Sequence, residues 1–391
     1  MKNLLSDAIK SAPSSFIRNV MKTASDPSII SFGGGCPHPD SFPKEEIIES
    51  TKRVVETYGA SAFQYSITAG IPELRQWIAD RYNQKFGMHL TVDNVIITTG
   101  AQQGLDLITR VLINPGDGIA VEHPTYLAAI QAFALNQPKF YPVELSEDGL
   151  NLEQLQDALD HNIKLLYTIP DFQNPTGLTY TAGNRDKIYE MLKDREVVLV
   201  EDDPYGELRF DGERLPYIGA GRFQYSLLFG TFSKTIAPGM RTGFVISENT
   251  ALLGYLTKAK EATDLHTNVF TQYLIYDYLT HNDYEAHIAK ITQLYHAQAQ
   301  AMMDAMAKYF PSNVKYTRPH GGMFLWVTLP DGVSAMELFP KALEQKIAYV
   351  PGDPFFIDVK DSNTMRLNFT GSDCETIEKG IHILGDLLKE L

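Results

Sequence analysis

From residue 94 onward, short apolar runs alternate with segments whose apolar residues recur every three or four positions. The runs cover 94–99, 118–122, 164–169, 197–202, 227–231 and 243–247. Most are nearly unbroken Val, Ile and Leu, the pattern of strands buried on both faces. Between several of them lie amphipathic segments, such as 103–113, with Leu105, Ile108 and Leu112 on one face, and 182–193. This alternation predicts an α/β fold, a mostly parallel sheet of about seven strands flanked by helices. Further along the pattern changes. A helical stretch over 284–309 stops before Pro311 and is followed by strand candidates over 322–329 and 364–370 and a helix over 374–391. That order predicts a smaller α+β domain. The start of the chain reads as a helical arm and a Gly- and Pro-rich stretch over 33–43, too short for a domain. The expected division is an arm and part of the small domain over 1–47, a large domain over 48–270 and a C-terminal domain over 271–391. No flexible linker or repeat separates them, so they are expected to pack tightly.

Composition narrows the function. The 391 residues are ordinary for a globular protein, at 44% hydrophobic and 21% charged. Lys and Arg number 34 against 48 Asp and Glu, a net charge of −14, with no basic stripe. Nucleic acid and anionic membrane are therefore poor partners. The two cysteines, Cys36 and Cys374, cannot build a disulfide framework and point to a reducing compartment. Residues 1–20 lack a secretory pattern and no apolar stretch approaches a membrane span, so a cytoplasmic protein is expected. No His-Glu-x-x-His, zinc-spaced Cys/His group or Gly-x-Ser-x-Gly occurs, which leaves no metal or nucleophile-elbow motif.

Four motifs carry candidate chemistry. Thr231-Phe232-Ser233-Lys234 follows a predicted buried strand, with Gly239-Met240-Arg241 close behind. An amine desolvated beside other cations has a lowered pKa and suits attack on a phosphorylated carbonyl compound. The same residues are compatible with a surface lysine at a strand end. Asp202-x-x-Tyr205 ends another strand, where open α/β sheets bind ligands. An aspartate there can keep a pyridine nitrogen protonated, although Asp-Asp-Pro is also good turn chemistry. Asn174-Pro175-Thr176-Gly177 marks a turn whatever its function. Finally, Thr99-Gly100-Ala101-Gln102-Gln103-Gly104 joins a strand to a helix with small residues, so that backbone N–H groups can meet a phosphate. It matches neither the P-loop nor the dinucleotide fingerprint.

Together, in this order and on this scaffold, the four motifs resemble the fold-type I pyridoxal-phosphate enzymes, specifically the class I/II aminotransferases. The resemblance covers nearly the whole chain. It is nearest to the 2-aminoadipate/kynurenine aminotransferase group through Ile30-Ser31-Phe32-Gly33-Gly34-Gly35-Cys36-Pro37 and Phe63-Gln64-Tyr65-Ser66. The resemblance implies pyridoxal 5'-phosphate as cofactor and Lys234 as the lysine that forms its Schiff base and shuttles the substrate proton. It implies Asp202 at the pyridine nitrogen, Tyr205 and Asn174 at the phenolate oxygen and Tyr126 stacked on the ring. The phosphate would meet Thr231, Ser233, Arg241, Gly100, Ala101 and Gln102, and Ala101 replaces a serine that some relatives carry. Tyr65 would reach the phosphate of a neighbouring subunit, which implies a homodimer with shared active sites. Arg366, helped by Asn174 and Gly35, would hold the substrate carboxylate, because a guanidinium fork fits that group.

Arg18 resembles an arm arginine that can meet an acidic substrate side chain, and it is equally compatible with a solvated cation on a helical arm. In the second case Phe16 and Tyr65 would line a site for aromatic or aliphatic side chains. The implied reaction moves an amino group from an L-amino acid of the 2-aminoadipate, aromatic or aliphatic type to a 2-oxo acid such as 2-oxoglutarate. A lyase or decarboxylase of the same fold would use the same cofactor residues, and a cofactor-binding regulatory module is the non-enzyme alternative.

Overall fold

The computed structural model describes residues 4–11 and 26–391; Arg18 and Phe16 lie outside the described residues. The first described elements are a short helix, Asp7–Ser11, and strand β1 (Ile30–Ser31). The central sheet contains β2 (Val95–Thr98), β3 (Gly118–His123), β4 (Lys139–Ser146), β5 (Gly149–Leu150), β6 (Ile163–Thr168), β7 (Val198–Asp202), β8 (Ser226–Thr231) and β9 (Gly243–Ile246). Its spatial order is β2-β9-β8-β7-β6-β3-β4-β5. All six strands expected from apolar runs are present, and β4 is the seventh. Strand β4 is mostly exposed or half-buried and carries Pro142, so it makes no apolar run. The two-residue β5 pairs antiparallel with β4 and makes eight.

The pairs β4-β3, β3-β6, β6-β7 and β7-β8 are parallel, whereas β9 runs antiparallel between β8 and β2. One consequence of that inversion places the site. The carboxyl ends of β2, β3, β6, β7 and β8 share an edge with the amino end of β9. Ligands bind open α/β sheets beyond the carboxyl ends, and the inverted strand brings Arg241, which precedes β9, to the same edge.

Beyond the central sheet lie β10 (Lys315–Tyr316), β11 (Phe324–Thr328), β12 (Ile347–Ala348), β13 (Val350–Pro351) and β14 (Thr364–Asn368). Four of these form an antiparallel sheet in the order β10-β11-β14-β13. Its face packs with helices Tyr284–Tyr309 and Cys374–Lys389, the second capped by Asp373, whose side chain accepts from the Thr376 N–H. Strand β12 pairs in parallel with β1, so the early chain joins the late one. The largest apolar core runs unbroken from Ile119, Leu165 and Val200 of the central sheet to Leu325, Leu367 and Ile381. Helix Val269–His281, in which the expected boundary at 270 falls, packs against the sides of Lys44–Tyr58 and Pro72–Phe86.

Candidate active site

A cleft of about 310 Å³ opens at the sheet edge where these strand ends converge. Lys234 lies three residues beyond β8, and its Nζ donates to the Gly35 carbonyl at 2.8 Å. Burial lowers this amine to about 8, and the positive charges of Arg366 and Arg241 push in the same direction. A cation in so confined a place is penalised, and the neutral, nucleophilic form gains.

Asp202 ends β7 and is only 3% exposed. Its Oδ2 accepts from the Tyr167 hydroxyl at 2.7 Å, while Oδ1 is buried with no hydrogen-bond partner. Burial raises the carboxyl to about 7, and the charges of Asp203 and Glu122 add to the rise. An orphaned buried carboxylate oxygen costs about 1–3 kcal/mol or more and calls for an explanation. It is a ready acceptor for a donor bound in the cleft.

Arg366 lies in the middle of β14, between Trp326 of β11 and Val350 of β13, and is 3% exposed. Apolar neighbours on its strand left its direction open in the sequence. In the fold it points inward, with Nη1 donating to Asn174 Oδ1 at 2.8 Å and Nη2 to the Gly33 carbonyl at 3.0 Å. Its guanidinium carbon stands 4.2 Å from the Phe324 ring centre and 5.0 Å from that of Phe355, a cation–π setting. Burial lowers it to about 10, still charged at neutral pH, and its Nε has no partner. Tyr205 sets its ring edge-on to Phe324 at 5.8 Å. Burial pushes its hydroxyl well up, with a hydrogen bond to Asn174 working the other way.

The opposite end of the cleft is lined by Ala101, Gln102, Thr231, Ser233 and Arg241. Helix Ala101–Leu112 starts there from Gly100, with no side-chain cap and no acidic residue in its first turn. Its N-terminal dipole therefore faces the cleft uncompensated. Gly100 has φ of 74°, and a Cβ on it would stand 2.7 Å from Arg241 Nη2. Only glycine lets the guanidinium lie against this turn. The Gln102 side chain donates to the Ala128 carbonyl at 2.9 Å, which leaves backbone as the part of Gln102 that faces an anion. The Ser233 N–H donates to the Thr231 hydroxyl at 3.1 Å, tightening the turn before Lys234. Tyr126 forms part of the wall, and burial raises its hydroxyl too.

A model of the family described as aminotransferase class I and II matches residues 29–384. The chain belongs to this family. It is 40% identical over 381 residues to aromatic-amino-acid aminotransferase 1 of Thermococcus litoralis, covering 96% of this chain and 91% of that one. Against the 2-aminoadipate transaminase of Thermus thermophilus it is 40% identical over 383 residues, or 96% and 94% of the two chains. The crystal structure of an alpha-aminoadipate aminotransferase from Thermus thermophilus, complexed with N-(5'-phosphopyridoxyl)-L-leucine, superposes with a TM-score of 0.92. It is 37% identical and covers 100% of this chain and 98% of its own.

This aminotransferase chain thus gathers Lys234, Asp202, Tyr205, Asn174, Tyr126, Thr231, Ser233, Arg241, Ala101, Gln102, Gly35 and Arg366 around one cleft, with Gly100 directly behind Arg241. Tyr65 does not line it. That side chain is 78% exposed, edge-on to His266 at 5.7 Å in a separate groove with Phe63 and Phe270. Among cleft residues that sequence reasoning did not single out are Cys36, Gln131, Pro204 and Phe324. Tyr167, the partner of Asp202, was also missed, although a tyrosine near the end of the apolar run 164–169 was the available signal. Among the described residues no His, Cys, Asp and Glu group could hold a metal ion, and no helix is long and apolar enough to cross a membrane.

Proposed function

We propose that the protein is a pyridoxal 5'-phosphate-dependent aminotransferase that moves the amino group of an L-amino acid to a 2-oxo acid such as 2-oxoglutarate. The observation that carries this reading is the pair formed by a lowered amine, Lys234, and an orphaned carboxylate oxygen on Asp202, both lining one cleft. The residues present fit the cofactor. Asp202 Oδ1 suits a protonated ring nitrogen, and its raised pKa would fall once that charge stood opposite. The Gly100–Arg241 contact, the start of helix Ala101–Leu112 and the Thr231 and Ser233 hydroxyls suit a phosphate. Tyr126 offers a ring face, and Tyr205 with Asn174 offers donors for a phenolate oxygen. When bound, the cofactor supplies an aldehyde for the amino group and a ring that accepts the α-carbon electron pair.

The chain's own residues do the rest. Arg366 orients the substrate by its carboxylate, with Asn174 holding one side of the guanidinium and Gly33 the other. Lys234 Nζ takes the proton from the substrate α-carbon and later returns it, a task suited to an amine whose pKa lies near ambient pH. Asp202 holds a proton across its unpartnered oxygen. Donors of the 2-aminoadipate or aromatic type are supported by the two relatives at 40% identity, and an aliphatic donor by the phosphopyridoxyl-leucine in the Thermus thermophilus structure. The exposed Tyr65 beside Phe63 and Phe270 supports a homodimer in which Tyr65 reaches the partner's phosphate site. Two free cysteines support a cytoplasmic location. The packing of helix Val269–His281 on Lys44–Tyr58 and Pro72–Phe86 supports a boundary between the two domains past this helix rather than at 270.

The test incubates purified protein with the cofactor, 2-oxoglutarate and a panel of amino acids, and follows glutamate. Glutamate formation that Lys234→Ala abolishes, together with the cofactor absorbance, is the expected result. Ammonia and an oxo acid released without an amino acceptor would assign a lyase instead.

A further inference from the structure

Glu122, next to last in β3, is a buried acid that the reaction above does not use; its exposure is 0%. A carboxylate in such a place is unfavourable by several kcal/mol unless its lone pairs are taken up. Here they are. Oε1 accepts from the Ile169 N–H at 2.7 Å and the Tyr180 hydroxyl at 2.6 Å. Oε2 accepts from Gln173 Nε2 at 2.7 Å and the Thr125 hydroxyl at 3.4 Å. All four donors are neutral, and burial pushes the carboxyl up to about 7.

Three of the four donors lie in or next to residues that line the cleft. Thr125 precedes Tyr126, Ile169 itself lines the floor, and Gln173 precedes Asn174. Gln173 is fixed at both ends of its amide. Nε2 also donates to the Pro124 carbonyl at 3.0 Å, and Oε1 accepts from the Thr176 N–H at 2.9 Å and the Thr176 hydroxyl at 2.7 Å. The next residue, Asn174, accepts from Arg366 at 2.8 Å. A rigid chain of contacts therefore runs from Glu122 to the guanidinium.

We propose that Glu122 is the positioning residue of the carboxylate clamp. Through Gln173 it fixes the loop that presents Asn174 to Arg366, and through Thr125 it fixes the turn that carries Tyr126. The inference rests on the reading of Arg366 as the substrate-carboxylate site. It follows from donor counting that an amide cannot replace the acid. In Glu122→Gln an NH2 group faces either the Ile169 N–H, which cannot turn, or the Gln173 NH2. In the second case Gln173 must flip and release both Thr176 donors.

The decisive measurement is calorimetric binding of 2-oxoglutarate to the cofactor-loaded protein, with cofactor absorbance and cofactor affinity recorded alongside. Glu122→Gln is expected to raise the 2-oxoglutarate Kd about tenfold and to raise the amino-acid KM more than it lowers kcat. Tyr126 and Asn174 also face the cofactor, so its affinity should fall as well, by about threefold against the tenfold for 2-oxoglutarate, an inequality that a general loss of stability does not produce. The double variant Glu122→Gln/Gln173→Glu restores the donor–acceptor pair between the two side chains and keeps both Thr176 bonds, but sets an acceptor against the Pro124 carbonyl, so it should recover part of the lost affinity. If Glu122→Gln does not fold, Thr176→Val carries the test, with a Kd rise of about threefold expected from one lost hydroxyl bond. An unchanged Kd in either folded variant overturns the proposal, as does a parallel loss of cofactor and 2-oxoglutarate affinity without rescue. A wild-type protein that takes up no cofactor, or an Arg366→Lys variant that binds 2-oxoglutarate normally, would instead overturn the reading of the site.

Discussion

Asp202 and Asp203 are adjacent, with both side chains shielded from solvent, and are treated in opposite ways by the fold. Asp203 is fully engaged: it accepts from the Gly206 N–H at 2.7 Å, Arg214 Nη2 at 2.7 Å and the Tyr217 hydroxyl at 2.6 Å. Arg214 in turn faces Glu207, which pairs with Arg81 and Lys85. Asp202 has one partner and a bare oxygen. The turn between β7 and Tyr205 is therefore clamped on the Asp203 side and left unmet on the other. Burial raises both carboxyls, but only Asp203 has a cation in contact to oppose it. An acid placed for stability is surrounded until nothing is wanting, whereas one placed for chemistry keeps an oxygen for a ligand.

Four experiments would break or sharpen that contrast. The largest effect belongs to the cleft itself: Lys234→Ala should lower turnover by at least about 10⁴-fold, since it removes the proton-transferring amine. Loss of the cofactor absorbance is the accompanying readout.

Next is Asp202→Asn, expected to lower kcat by about 10³-fold while raising the thermal midpoint of the cofactor-free protein at pH 8. The sign follows from its raised pKa. Between the unfolded value near 4 and about 7 the folded chain binds more protons than the unfolded one, so stability falls as pH rises through that window. An amide removes the penalty. A lower midpoint at pH 8 would contradict the strain assigned to this side chain.

Asp203→Asn should do the reverse. It strips Arg214 of the carboxylate at 2.7 Å and leaves Glu207 at 3.8 Å, which costs about 1–2 kcal/mol of stability by denaturant unfolding. The folded fraction should keep turnover within about tenfold of the parent. Equal catalytic losses in the two asparagine variants would erase the distinction between the neighbours.

The smallest effect is one of pH. With Lys234 lowered to about 8, about a tenth of it is neutral at pH 7, against well under 0.1% for a free lysine. Cofactor uptake by stopped-flow absorbance should therefore quicken roughly tenfold per pH unit up to about pH 8 and then level off. A rate still rising steeply at pH 10 would mean an amine that the fold does not perturb.

Much of this was legible in the sequence, for a physical reason. Strands buried on both faces must be apolar throughout, so β2, β3, β6, β7, β8 and β9 announce themselves as runs. Residues just past such runs, Lys234 and Asn174 among them, or at their ends, as Asp202 is, then fall at the ligand-binding edge. Strand β4 has one buried residue among eight and gave no such signal. All five residues of β14 are buried, so alternation could not say which way Arg366 points. Tyr167 and Glu122 sit inside apolar runs and are told from core only by the partners the fold brings them. The carbonyls of Gly33 and Gly35, which hold Arg366 and Lys234, are invisible in principle, because every residue has one.

Those two carbonyls also bear on how the protein is made. The bond from Arg366 to Gly33 joins residues 333 apart along the chain, and β1 finds its partner only in β12. All eight strands of the central sheet, the last ending at Ile246, leave the ribosome before Arg366 does. A growing chain can therefore build the floor of the cleft, with Lys234 and Asp202 in place, well before the residue that selects carboxylates has been synthesised.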